Sequence, residues 1–136
     1  MGVDNTPVEK LMSTDLLTVT PDTDIAEAAD ILLDEGVGPL IVLDVDDNLV
    51  GVLTSTDFVT VASTAHSSHT GVVGDYMTED VLTVPSSATL YDAAVKMMRE
   101  DVQHLPVAGD GNEIVGMLSA TDLTAQLTYM GSSGTD

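Results

Sequence analysis

Thr54, Thr56 and Asp57 form one compact set of hydroxyls and a carboxylate, and Ser119, Thr121 and Asp122 repeat it 65 residues later. Each set follows Gly and two apolar residues, Gly51-Val52-Leu53 in one case and Gly116-Met117-Leu118 in the other. An apolar run entering Ser/Thr-x-x-Asp reads as a buried strand that runs into a helix start. The hydroxyl can cap the new helix, and the acid three residues on can reach back to the cap amide. The same groups can do more than cap. A hydroxyl, helix N–H groups and a carboxylate converging at one strand end make a good place to hold a nucleotide.

Other chemistry is poorly supplied. The chain has no Cys, which excludes a disulfide frame, a thiolate metal site and a cysteine nucleophile. Its three His are scattered, and no motif sets a base beside a Ser or Thr, so an enzyme is not expected and no catalytic cofactor is called for. His66 and His69 could share a metal ion on a helix. Two ligands without an acid make a weak site, and a solvated linker is the better reading, so no metal is expected.

The elements that must position the two motifs are themselves repeated. Sliding the chain by 65 aligns Val8–Phe58 with Val73–Leu123 without a gap, and seventeen positions are identical, among them Val8, Met12, Val19, Ala28, Leu40, Gly51 and Asp57. Two copies are too few for a solenoid and predict a pair burying a shared face. Each copy opens on a short extended segment, Leu16–Val19 or Val81–Val84. A helix follows, with capping boxes at Asp24-x-x-Glu27 and Thr89-x-x-Asp92. Its apolar stripe is Ile25, Ala28, Ala29, Leu32 and Leu33, or Leu90, Ala93, Ala94, Met97 and Met98. Met97 and Met98 are expected in the core, and Lys96 and Arg99 in solvent. Gly36 is placed to end the first helix in a left-handed conformation, a role that falls to Asp101 in the second. Two buried strands joined by a polar turn come next, Leu40–Leu43 with Leu49–Leu53 and Leu105–Ala108 with Ile114–Leu118. The motif then opens a second helix, Thr56–Ala62 or Thr121–Met130. The domain reading is a first repeat with a short lead at 1–65, a linker at 66–72, a second repeat at 73–130 and a fraying tail at 131–136.

Charge bounds the setting. Lys and Arg number 3 against 23 Asp and Glu, a formal net charge of −20. Such self-repulsion destabilises a small compact state in dilute buffer, yet the apolar pattern is globular rather than disordered. Concentrated salt screens charges within a few ångström, so a halophilic source is expected. The same charge argues against nucleic acid and anionic membranes as partners. No run reaches the roughly 18 apolar residues of a membrane span. Met1–Pro7 lacks the features of a signal peptide, and the protein reads as cytoplasmic.

Strand, helix, strand, strand, helix, given twice with these motifs and with Val102–Val107 reading Val-x-x-Leu-Pro-Val, resembles a pair of CBS domains, the Bateman module. The resemblance covers nearly the whole chain. It implies an α/β (α+β) fold, a tandem pseudo-twofold pair of β-α-β-β-α repeats. It also implies clefts that bind adenosyl compounds: AMP, ADP, ATP or S-adenosylmethionine. Carried over by residue, one cleft would use Leu16, Leu17, Gly38, Pro39 and Leu40 with Ser119, Thr121 and Asp122. The other would use Val81, Leu82, Gln103, His104 and Leu105 with Thr54, Thr56 and Asp57. A carboxylate can accept from both ribose hydroxyls. Hydroxyls and helix N–H groups suit phosphate, and a Val/Leu strand supplies an apolar slot for adenine. So few cations disfavour a triphosphate, which points to an AMP-like ligand or S-adenosylmethionine, with the His104 cleft favoured if only one is used. The implied role is a regulatory module signalling to an effector outside this chain, and a homodimer through Phe58, Val59, Val61, Leu123, Leu127, Tyr129 and Met130. The alternative is an interaction scaffold with vestigial clefts.

Overall fold

Strand β1 (Thr18–Val19) is only two residues long, and it is held by a neighbour rather than by its own length. It pairs in parallel with β2 (Leu40–Leu43), which pairs antiparallel with β3 (Leu49–Leu53). Helix α1 (Ile25–Glu35) makes the crossover from β1 to β2, and α2 (Ser55–Thr64) leaves the end of β3. After α3 (Val73–Tyr76) the same order returns as β4 (Val84–Pro85), α4 (Leu90–Glu100), β5 (His104–Ala108) and β6 (Ile114–Ser119). A helix α5 then opens at Ala120 and is described to residue 126. The computed structural model describes residues 5–35, 39–64 and 71–126. Gly36, Gly38, His66, His69, Leu127, Tyr129, Met130 and the tail lie outside them.

The two sheets repeat one another in register. Val19 faces Val42 as Val84 faces Val107, and Leu40 faces Leu53 as Leu105 faces Leu118. Even the bulge recurs, between Val42 and Leu43 and between Val107 and Ala108. The hairpin turns are built alike. Asp47 and Asn112 take left-handed φ values of 65° and 68°, a conformation that short polar side chains tolerate. In the first turn Asp44 accepts from the backbone N–H groups of Asp46 and Asn48, each at 2.9 Å. The bond from Asn48 is the largest influence holding the Asp44 carboxyl below its usual range.

The chain divides into two compact units, Leu16–Val81 and Met1–Asp15 with Leu82–Asp136. Each unit therefore contains a short lead from the other repeat's sequence. Val8–Lys10 form a 3-10 turn whose Val8 N–H donates to Ala88 O at 2.8 Å, while Leu90 N–H donates to Thr6 O at 2.8 Å. Ser13 then pairs with Met117 of β6. The counterparts at the 65-residue offset do the same in the other unit: Val73 N–H to Thr23 O at 2.8 Å, Ile25 N–H to Gly71 O at 3.0 Å, and Thr78 paired with Val52 of β3. Val8 and Val73 are both wholly buried, one beside Val84, Leu90 and Leu105, the other beside Val19, Ile25 and Leu40.

The cores are aliphatic. Ile25, Leu40, Val42 and Leu53 fill one, and Leu90, Leu105, Val107 and Leu118 the other, each side chain contributing about 1.5–3 kcal/mol on burial. Helix α4 shows its start and stop plainly. Thr89 and Asp92 exchange the two bonds of a capping box, each 3.2 Å, and Asp101 ends the helix in the left-handed region at φ 57°. Two expectations fail on this helix. Met98 is 82% exposed, as is its counterpart Leu33 at 80%, because the stripe that faces the sheet narrows to Leu90, Ala93 and Met97. Lys96 is half-buried, its ammonium donating to Thr83 O at 2.6 Å. A long stem lies along apolar surface while the charged head reaches a backbone acceptor.

Candidate ligand-binding site

Parallel β1–β2 and antiparallel β2–β3 pairing bring the start of β1, the start of β2 and the end of β3 to one end of each sheet. In the first unit that end gathers Leu16, Leu17, Pro39 and Leu40 with Thr54, Thr56 and Asp57, and Leu17 O accepts from Ile41 N–H at 2.9 Å. In the second it gathers Leu82, Gln103, His104 and Leu105 with Ser119, Thr121 and Asp122, and Ala120 N–H donates to Gln103 O at 2.9 Å. His104 faces Ser119 across the β5–β6 ladder. Taken by itself, each unit thus joins the strands and the motif of the same repeat. Val81 ends the first unit and is half-buried.

The two motifs are built differently. Asp122 and Ser119 form the complete reciprocal cap: Ser119 N–H donates to Asp122 Oδ2 at 2.9 Å, and Asp122 N–H donates to Ser119 Oγ at 3.0 Å. Asp57 Oδ2 likewise accepts from Thr54 N–H at 2.8 Å, but Asp57 N–H turns to the Thr54 carbonyl at 3.0 Å. The Thr54 hydroxyl is then free to donate to the carboxylate at 3.4 Å, and the Thr78 hydroxyl donates to Asp57 Oδ1 at 3.4 Å. Thr78 was not among the expected site residues. Its signal in the sequence is the offset itself, since it is the counterpart of Ser13.

Burial sorts the remaining residues. Leu40 and Leu105 have no accessible surface, and their side chains belong to the two aliphatic cores. Leu16, Leu17, Pro39, Leu82 and His104 are half-buried, while Gln103, Thr56 and Thr121 are exposed. Desolvation by burial holds the His104 imidazole below 6.5, and the Asp122 carboxylate pulls the other way. A neutral imidazole beside a capped carboxylate can donate or accept a hydrogen bond, and it can take up a proton when an anion arrives. Among the described residues, no group of three His, Asp or Glu is gathered as a metal ion needs, and no helix is long and apolar enough to cross a membrane.

Known proteins share the repeated fold. A family model for the CBS domain matches residues 8–63 and again 73–129. An uncharacterized 17.7 kDa protein of Acidianus ambivalens is 32% identical over 122 residues, which cover 90% of this chain and 73% of that protein. The chain spans much less of other relatives: 41% of an uncharacterized Methanocaldococcus jannaschii protein at 30% identity, and 23% of that organism's inosine-5′-monophosphate dehydrogenase at 27%. Among solved structures, the CBS domain pair of protein MJ0100, in complex with 5′-methylthioadenosine and S-adenosyl-L-methionine, is 25% identical. It matches with a TM-score of 0.83 over 92% of this chain and 98% of that one. CBSX2 in complex with AMP is 26% identical, with a TM-score of 0.81 over 93% and 98%. Duplicated topology, duplicated motifs and two matches to one family model agree: the chain belongs to the CBS domain family, as a tandem pair of repeats.

Proposed function

We propose that the chain is a regulatory module that binds an adenosyl ligand, an AMP-like nucleotide or S-adenosylmethionine, and signals its presence to an effector protein. The observation that carries this reading is the pair of hydroxyl–carboxylate clusters, each beside half-buried apolar strand residues at one sheet end. The AMP and S-adenosylmethionine complexes of similar domain pairs support the ligand class. In this reading the strands of one repeat and the motif of the other serve the same ligand, as the family resemblance implies. The module self-associates, works in a salt-rich cytoplasm, and has a binding role rather than a catalytic one. A ligand that prefers one conformation shifts the population toward it, and that shift is the output.

Thermal unfolding in molar KCl with AMP, ADP, ATP or S-adenosylmethionine tests the proposal. A ligand at a hundred times its dissociation constant stabilises by about 2.7 kcal/mol. A rise of the midpoint for one ligand, lost in Asp57→Ala or in Asp122→Ala but not in both, supports sensing and assigns the working motif. The alternative is an interaction scaffold. It is favoured by the capping bonds of both Asp residues, which give the motifs a purpose without a ligand. It predicts no shift with any compound and two variants that are merely less stable.

A further inference from the structure

The two motifs carry the same types of group, but they do not leave the same atoms open to a ligand. Asp57 is engaged at both carboxylate oxygens. Oδ2 accepts from Thr54 N–H at 2.8 Å and from the Thr54 hydroxyl at 3.4 Å, and Oδ1 accepts from the Thr78 hydroxyl at 3.4 Å. Asp122 is engaged at one. Its Oδ2 accepts from Ser119 N–H at 2.9 Å, while the Ser119 hydroxyl accepts from Asp122 N–H at 3.0 Å. Among the described residues, no hydrogen bond reaches Asp122 Oδ1. The difference lies in the lead that runs beside each motif. Thr78 pairs with Val52 of β3 as Ser13 pairs with Met117 of β6, so the two backbones offer a hydroxyl at equivalent places. Only Thr78 spends it on the acid. A β-branched side chain is confined to few rotamers, whereas the exposed Ser13 turns freely. A second difference points the same way. His104 faces Ser119 across the β5–β6 ladder, and the Asp122 carboxylate acts on its imidazole. Its counterpart at the 65-residue offset is Pro39, which has no polar side-chain atom.

We propose that Thr78 separates the two motifs: by engaging Asp57 Oδ1 it leaves the Asp122 motif as the preferred seat for the vicinal diol of the ligand's ribose. This rests on the adenosyl-binding role proposed above and decides which motif carries it. A diol donates two hydrogen bonds, and one carboxylate can accept both. At Asp122 the open Oδ1 takes one of them and a second lone pair of Oδ2 the other, and no bond inside the protein is broken. At Asp57 the diol must first displace the Thr78 hydroxyl, and exchanging one hydrogen bond for another brings little net gain. Thr78 is thus a positioning residue that acts through Asp57. His104 adds to the Asp122 motif a group that can donate to or accept from the ligand, where the other motif has only Pro39.

Isothermal titration in molar KCl with AMP and with S-adenosylmethionine, which both carry the diol, tests the inference. The control is 2′-deoxy-AMP, which lacks one of the two hydroxyls. The wild type is expected to show one stronger site per chain and a second about fivefold weaker, the worth of one net hydrogen bond. Asp122→Ala should remove the stronger site and leave the weaker. Adding Thr78→Val to that chain keeps the β-branched shape and both backbone bonds and deletes the hydroxyl. AMP affinity should then rise about fivefold while that of 2′-deoxy-AMP stays unchanged, a dependence on the diol that a merely structural Thr78 would not produce. Two sites of equal affinity in the wild type overturn the inference and leave the adenosyl-binding role intact. So does an AMP affinity that fails to rise on adding Thr78→Val, or one that rises equally for 2′-deoxy-AMP. No binding of either compound to the wild type overturns that role, and the inference with it. Thr78 is exposed, and circular dichroism confirms that its variants fold.

Discussion

Replacing Gly51 by Ala tests whether that glycine exists to admit the exchanged lead. A Cβ there would lie 2.6 Å from Sδ and 2.9 Å from Cγ of Met77, and 2.9 Å from the carbonyl oxygen of Thr78. The thioether can swing aside. The carbonyl cannot, because it accepts from Val52 N–H at 3.0 Å while Thr78 N–H donates to Val52 O at 2.9 Å. The lead and β3 must therefore move apart. Overpacking a buried position costs about 1–3 kcal/mol, and weakening the two bonds adds some part of about 0.5–1.5 kcal/mol each. A total near 2–4 kcal/mol is expected. Denaturant titration in molar KCl reads it as a lower midpoint at similar slope. Met77→Ala placed in the Gly51→Ala chain relieves the thioether contact but leaves the carbonyl, so it should recover less than half of the loss. Gly109→Ala is the control. Its nearest neighbour is the Glu113 carboxylate at 2.7 Å, the mobile end of a side chain, with Val115 Cγ1 at 3.1 Å and no backbone atom among the three nearest, so the cost should be smaller than that of Gly51→Ala. A Gly51→Ala chain within about 0.5 kcal/mol of wild type, the range of neutral surface changes, would refute the reasoning.

Asp57→Ala and Asp122→Ala each remove a capping acid, a loss of about 0.5–2 kcal/mol by denaturation, and Asp57→Ala should cost more because the Thr78 hydroxyl also loses its acceptor. His104 should titrate below 6.5 by NMR, and lower still in Asp122→Asn, where the opposing carboxylate charge is gone. Its folded value is depressed, so its contribution to stability is complete above 6.5 and is lost as pH falls through the folded value. Asp101→Gly should stabilise by about 0.5–1 kcal/mol, since Gly accepts the left-handed cap without the Cβ conflict, and Asp101→Val should destabilise.

Local rules and one long-range regularity made most of the fold legible. The 65-residue offset, the change from alternating to helical periodicity and the capping signals placed β1 to β3, β5, β6, α1 and α4 to within a residue or two, while β4 starts three residues later than expected, at Val84. The asymmetry of the two motifs was not legible, because Thr54 and Ser119 are interchangeable as caps until Thr78 enters. Nor was the exchange of leads. Val8 and Met12 were visible as identities with Val73 and Met77, but a repeat alignment pairs each residue with its equivalent and says nothing of its neighbour. Burial of Met98 was misjudged for a related reason: five apolar positions on an eleven-residue helix exceed what one sheet face covers, and the pattern alone does not say which of them is left over. Lys96 escaped because its charge hid a stem long enough to reach Thr83 O.

The exchanged leads also set an order of assembly during synthesis. Val73 meets a sheet whose strands β1 to β3 have already left the ribosome, so the unit Leu16–Val81 is complete in sequence as soon as Val81 emerges. Val8 has no such partner. It must wait for Ala88, and Ser13 for Met117, more than a hundred residues downstream. Closing so long a loop is slow, and an apolar segment that waits is a segment that can bind elsewhere. Nascent chains halted just beyond Val81 would thus carry one unit complete in sequence while Val8 still lacks the residues that bury it.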